Sequence, residues 1–117
     1  MPAPLKPEID YDAFAAVDIR VGTIQRVEDV PHLEKLVRLI VNFGDHTRRI
    51  LTGIKKERPN PQELAGRQAL FVVNLKPRKM ASETSEGMLV DLGYADGLVP
   101  APLAMPESPV PDGTRAG

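Results

Sequence analysis

Three observations predict a mainly β fold, a five-stranded Greek-key barrel with a short N-terminal helix. Apolar residues alternate with period two, a Gly-Asp turn joins two such runs, and a proline-started helical turn separates the third run from the fourth. At 117 residues the chain suits one domain, large enough to bury a core without covalent help. With Cys 0 it has neither a disulfide framework nor a thiolate metal site.

Pro2, Pro4 and Pro7 make residues 1–8 an extended lead-in, because proline supplies no ladder donor. Asp10 is placed to cap a short helix that carries Phe14 and Ala15 and ends near Val17. From Val17 the period becomes two. Val17, Ile19, Val21 and Thr23 fall on one face of a half-buried strand, and Asp18, Arg20, Gly22 and Ile24 on the other. The second strand, Leu36 to Phe43, turns Val37, Leu39, Val41 and Phe43 inward and Arg38 and Asn42 outward. Gly44 and Asp45 open a hairpin into the third strand, Arg48 to Ile54, since glycine tolerates the positive φ of a tight turn. Asn60 is an N-cap and Pro61 the first position of a short helix, Gln62 to Ala65, stopped by Gly66. Ala69 to Leu75 gives a fourth strand and Gly87 to Leu92 a fifth. Five strands with a helix between the third and fourth are the layout of an OB-fold, which closes its sheet instead of exposing edges. An SH3-like barrel and an open β-sandwich share parts of that layout.

The barrel domain so defined spans residues 9–93. Residues 94–117 hold too much proline for a helix or a central strand. Leu98, Val99, Leu103, Met105 and Val110 nevertheless give them more apolar content than disordered tails carry. The expected structure is a Pro-rich C-terminal arm packed on the barrel or on a second subunit.

The formal net charge of -1 conceals a charge dipole along the chain. From Arg48 to Lys79 nine Lys and Arg are opposed only by Glu57 and Glu63, a local +7, and the remaining residues carry -8. Such a segment either furnishes solvated strand faces or concentrates positive potential for a phosphate partner. Residues 1–10 lack the apolar stretch of a signal peptide, and no run of roughly 18 apolar residues occurs. The chain is therefore expected to be soluble and cytoplasmic, with no membrane partner.

Enzymatic chemistry finds few candidates. His32 lies in a loop beside Pro31 and His46 in the hairpin turn, without the carboxylate or His-x-x-x-His spacing that holds a metal. Ser85 beside Glu86 lacks the Gly-x-Ser-x-Gly setting of a nucleophile elbow. Neither GxxxxGK[ST] nor GxGxxG is found. Lys79-Met80-Ala81-Ser82 superficially resembles the Lys-Met-Ser-Lys-Ser loop of some aminoacyl-tRNA synthetases, but no nucleotide-binding domain surrounds it. The expectation is a protein that is not an enzyme and uses neither cofactor nor metal.

The stretch Val73 to Leu89, VNLKPRKMASETSEGML, concentrates the remaining information. Asn74 is an amide amid Leu70, Phe71, Val72, Val73 and Leu75, and an amide so placed needs a partner. That partner is either an internal group that pins the loop or the base or sugar of a ligand. Lys76, Arg78 and Lys79 follow around Pro77, whose fixed φ stiffens the loop. Cations on a stiff loop meet a phosphate backbone with less entropy loss than cations on a floppy one.

Together with VDIRVGTI, ILTGIKK, NPQELAGR and SEGMLV, this stretch resembles the tRNA-binding domain of the OB superfamily. That domain occurs free-standing, at the C-terminus of methionyl-tRNA synthetases and in relatives of other synthetases. The resemblance spans roughly Ile9 to Gly93 and rests on the joint match of VNLKPRKM with SEGM. It implies an OB barrel, a homodimer, and binding of tRNA or another structured RNA without sequence specificity, in a protein able to assist an aminoacyl-tRNA synthetase in trans. Carried over to this sequence, it points to Asn74, Arg78, Lys79, Ser85 and Met88, with Lys35 in the loop HLEKL. The basic positions Arg49, Lys55, Lys56 and Lys76 complete the expected RNA-binding set.

A relative with a different role, the CsaA secretion chaperone, shares the barrel and the VDIRVGTI opening. It implies the alternative of an export chaperone that binds unfolded polypeptide. Its third strand reads like Gln-Ser-Ser-Ala and its last like Ser-Glu-Val-Leu-Val-Leu-Gly, where this chain has ILTGI and SEGMLV. Aromatic content separates RNA from single-stranded DNA. With Phe 3, Tyr 2 and no Trp, Phe14, Phe43 and Phe71 assigned to the core, and Tyr11 and Tyr94 outside the strands, there is no multi-base stacking platform. A basic face without aromatics suits folded RNA recognised through phosphate, sugar and shape.

Overall fold

The computed structural model describes residues 2–54 and 58–117. A short helix α1 (Tyr11–Ala15) leads into a long strand β1 (Ile19–Asp29), then β2 (Val37–Asn42) and β3 (Thr47–Thr52). One turn of 3-10 helix (Pro61–Leu64) precedes β4 (Gln68–Val72). A hairpin of β5 (Arg78–Met80) and β6 (Glu83–Ser85), then β7 (Met88–Leu89), a second 3-10 turn (Tyr94–Asp96) and β8 (Arg115–Ala116) complete the chain. The main sheet is antiparallel with strand order β3-β2-β1-β4-β7, and β8 joins it beside β1. It curls far enough that the amide of Glu86, in the turn before β7, donates to the carbonyl of Arg49 on the opposite edge strand at 2.8 Å. The result is the OB-like barrel that the strand layout predicts, closed by a seam instead of a continuous ladder.

Alternation in β2 is as read from the sequence. Val37, Leu39 and Val41 have no exposed surface and Phe43 very little. They meet Ile24, Ile50, Leu64 and Phe71 in one core, where Phe43 packs edge-on against Phe71 with ring centroids 5.6 Å apart. Each such buried side chain contributes about 1.5–3 kcal/mol relative to exposure.

β1 departs from the expected faces. Its core side carries Gly22 and Ile24, and a bulge between Ile24 and Arg26 returns Val27 to the core. Gly22 sits there for a steric reason: a Cβ would lie 2.5 Å from Val41 Cγ1 and 2.8 Å from Phe43 Cε1. The apolar set Val17, Ile19 and Val21 is therefore not the core face. Val21 is buried outside the core cluster, at the place where Gly113 and Thr114 pair with its backbone. Phe14 also differs from its expected core position, being 48% exposed on a helix that buries no residue.

Two further corrections concern the C-terminal half. The expected loop after β4 contains the β5–β6 hairpin. The expected fifth strand, 87–92, is reduced to β7 and a single bridge between Asp91 and Leu103, because the arm takes over the pairing. The arm lies on its own barrel: Leu70 N–H donates to Ala104 O at 3.0 Å, the side chain of Gln68 exchanges two bonds with the backbone of Val110, and Thr23 and Gln68 both donate to Asp112 Oδ1. Ala101 and Leu103 are the arm's own buried residues.

Candidate functional site

The seam that closes the barrel also builds the surface beside it. Arg48 on β3 donates from one guanidinium nitrogen to the carbonyls of Val73 (2.6 Å) and Glu86 (3.0 Å). Its Nε donates to His46 Nε2 at 3.0 Å, which leaves the imidazole proton on Nδ1, 2.6 Å from Asp45 Oδ1. That bond holds the Asp45 carboxyl below its ordinary range. Ser85 is buried; its hydroxyl accepts from Leu51 N–H at 3.0 Å and donates to Gly87 O at 2.9 Å. Gly87 is required at this point because a Cβ would stand 2.9 Å from the Val72 carbonyl. Farther along, Arg38 on β2 pairs with both Glu28 and Glu83, fastening the β5–β6 hairpin to the sheet. Those two carboxylates raise the guanidinium's pKa, Glu83 acting most strongly.

The start of the basic loop is held equally firmly. Asp18 N–H donates to Asn74 Oδ1 at 2.8 Å, and Asn74 Nδ2 donates to Ala16 O at 2.6 Å. Both ends of the Asn74 amide thus serve the backbone at the entry to β1, the internal partner of the two that the sequence left open. Arg20 clamps Asp18 through two hydrogen bonds, which hold that carboxyl below its ordinary range.

On this frame the hairpin and its neighbours enclose a surface cleft of about 630 Å³. Leu51 and Gly53 at the end of β3, Leu75, Met80 on β5 and Met88 and Leu89 on β7 give it apolar walls, and Lys76 and Arg78 are its cations. Arg78 and Met80 share one side of β5, so alternation puts Lys79, paired with Thr84, on the other. Arg49 borders a separate shallow depression with Pro77 and Thr84. Lys35, in the loop before β2, places its carbonyl beside Gly53.

The expected site residues therefore fall into three groups. Lys76, Arg78, Ser85 and Met88 line one cleft, Ser85 as a buried hinge of its wall. Arg49, Lys79 and Lys35 are exposed around it. Asn74 stands behind the loop, bonded to the N-terminal backbone. Lys55 and Lys56 lie outside the described residues. Among the described residues, Lys35, Arg49, Lys76, Arg78 and Lys79 carry no ion pair, unlike Arg38 and Arg58. The +7 segment is thus divided: Arg48 and Arg58 are spent on carbonyls inside the fold, and Arg67 sits on a different part of the surface, beside Gly66, Met105 and Pro106. Leu75 and Met80 were missed as site residues, since their apolar character reads as core. Their position beside the exposed cations was the signal available.

A curled OB-like sheet with an apolar, cation-rimmed cleft on its surface defines a small binding module of the OB class. A family profile described as "Putative tRNA binding domain" matches residues 19–115, and the chain belongs to that tRNA-binding domain family. Its structure is similar to that of a MetRS-related protein from Pyrococcus horikoshii, with 37% identity, a TM-score of 0.85, and 96% of this chain and 100% of that one covered. It is also similar to the chaperone CsaA of Bacillus anthracis, at 27% identity and TM-score 0.79, over 95% of this chain and 100% of that one. The CsaA chaperone of Picrophilus torridus matches at 27% identity and TM-score 0.80, over 94% and 100%. Among the described residues no helix is long and apolar enough to cross a membrane.

Proposed function

We propose that this protein is a non-catalytic binder of tRNA or similarly structured RNA, acting in the cytoplasm and able to present RNA to an aminoacyl-tRNA synthetase. The observation that carries the reading is the group Arg49 on β3, Lys76 in the loop before β5, and Arg78 and Lys79 on β5, cations without internal ion pairs among the described residues, gathered about a hairpin that Arg38, Ser85 and Arg48 fix to the barrel. Fixed cations gain counterion-release free energy on meeting phosphates while losing little entropy of their own. Family membership and the 37% identity to a MetRS-related protein support it. A side-by-side titration with total tRNA, single-stranded DNA and an unfolded polypeptide tests it. Tightest binding to tRNA at low salt is expected; preference for the polypeptide would hand the site to the chaperone alternative, which the CsaA likeness keeps in view.

The working unit is proposed to be a homodimer joined through the lead-in with α1 and the exposed part of the Pro-rich arm. Leu5, Ile9 and Tyr11 are 99%, 69% and 77% exposed, and Val99 in the arm is 68% exposed, so these apolar groups find no cover within the chain. Two barrels on a two-fold axis would offer one folded RNA two basic faces, raising avidity by roughly 10²–10⁴ where both engage. Sedimentation equilibrium should show a dimer at micromolar concentration, and Ile9→Asp with Phe14→Asp should yield monomer. A monomeric wild type would refute the arrangement.

A further inference from the structure

We infer that the cleft beside β7 accepts one unpaired nucleobase of a structured RNA, with the adjoining phosphate on Lys76 and Arg78. The inference rests on the RNA reading above and narrows its ligand from folded RNA in general to RNA that presents an extruded nucleotide. Size is the first argument: about 630 Å³ falls in the range of small-ligand sites, roughly 300–1,000 Å³. Wall chemistry is the second. Leu75 and Met88 are 49% and 45% exposed, too much apolar surface for side chains that serve only the core, and with Met80 they offer polarizable contacts to a flat ring. The chain lacks surface aromatics on its strands, so an apolar slot for one base replaces a platform for several.

Charge fixes the direction in which a nucleotide lies. Lys76 and Arg78 flank the cleft at the β4–β5 end. β7 runs antiparallel to β4, with Met88 opposite Val72 and Leu89 opposite Phe71, so Asp91, two residues past β7, lines the cleft away from that end, with one carboxylate oxygen accepting from Tyr94 N–H at 3.1 Å. A phosphate is attracted at the first end and repelled at the second, so the backbone passes over the cations and the base points inward. The hydrogen-bond donors on a base edge suit the remaining carboxylate oxygen. A paired base cannot enter without unstacking, which costs least for a nucleotide already bulged or looped out.

The test compares two RNA hairpins alike except for one bulged 2-aminopurine nucleotide, each titrated with the full-length protein. The bulged hairpin should bind about tenfold tighter, with a change in 2-aminopurine emission on binding. The double variant Leu75→Ala, Met88→Ala should bring the ratio of the two affinities close to one, with thermal melting run alongside to show that it remains folded. Equal affinity of the wild type for both hairpins would overturn the base slot and leave the RNA reading intact. Binding of neither would overturn both. If the variant kept the bulge preference but lost binding to a reduced, alkylated polypeptide, the cleft would belong to peptide side chains and the inference would fail. Should the variant melt, Met80→Glu alone, which places a carboxylate in the slot, must abolish the preference or the inference falls.

Discussion

Arg48 and Arg49 are neighbours on β3, yet one belongs to the seam and the other to the outer surface. Arg48 delivers its guanidinium to the carbonyls of Val73 and Glu86 and is only partly exposed. Arg49 uses its backbone for the seam, donating to Glu86 Oε1 at 2.9 Å, and leaves its side chain outward. Lys76, Arg78 and Lys79 follow the Arg49 pattern; Arg38 and Arg58 follow the Arg48 pattern. Cations in this fold thus divide into those that hold loops in place and those that the held loops display. Charge counted along the sequence cannot separate the two.

Substitution of each class should show the difference. The largest effect is expected for Arg48→Ala, which deprives two carbonyls of a charged donor and should lower the unfolding free energy by about 2–3 kcal/mol in urea titrations. A cost near zero would erase the distinction between holding and displayed cations. The displayed class is sharpened by Arg78→Ala combined with Lys79→Ala. Stability should stay within about 0.5 kcal/mol of wild type. The slope of log K for tRNA against log salt should flatten by roughly 1.4–1.8, one phosphate per removed cation. An unchanged slope would take both residues out of the interface.

The smallest effect concerns Asp18 and Arg20, which brace the loop from behind. Because the Arg20 hydrogen bonds set the folded-state pKa of Asp18 below its ordinary 3.8, the stabilisation is complete above that value. It is lost as pH falls through the lowered folded-state pKa. Below pH 3.8 the wild type should therefore lose stability with a steeper pH slope than Asp18→Asn, as read by urea midpoints across an acid series. Both groups are about a third exposed, so solvent keeps the difference small.

Much of this architecture was legible in the sequence, for identifiable reasons. β2 alternates without interruption, and Pro61 begins a helical turn where its missing N–H costs nothing. β1 was misread because its core face holds a glycine, chosen for the space beneath Val41 and Phe43, and because a bulge changes the phase after Ile24. The hairpin of β5 and β6 was hidden because RKM and ETS bury only Ser85, so no apolar period marks them. At the site, the cations on the loop were visible as charge. That Asn74 faces the backbone of Ala16 and Asp18, 58 and 56 positions away, is a long-range fact that local pattern does not contain.

β1 pairs with β2 only from Thr23 onward, leaving a ledge along its first residues on that side. Gly113, Thr114 and the pairs Arg20↔Arg115 and Ile19↔Ala116 cover it. During synthesis this ledge stays open until residues 113–116 have been made, since its cover is more than ninety residues downstream. A chain lacking residues 113–116 would carry a bare strand edge, the kind of template on which polypeptides aggregate. Covering that edge with residues so distant in sequence makes its protection conditional on their having been made and docked.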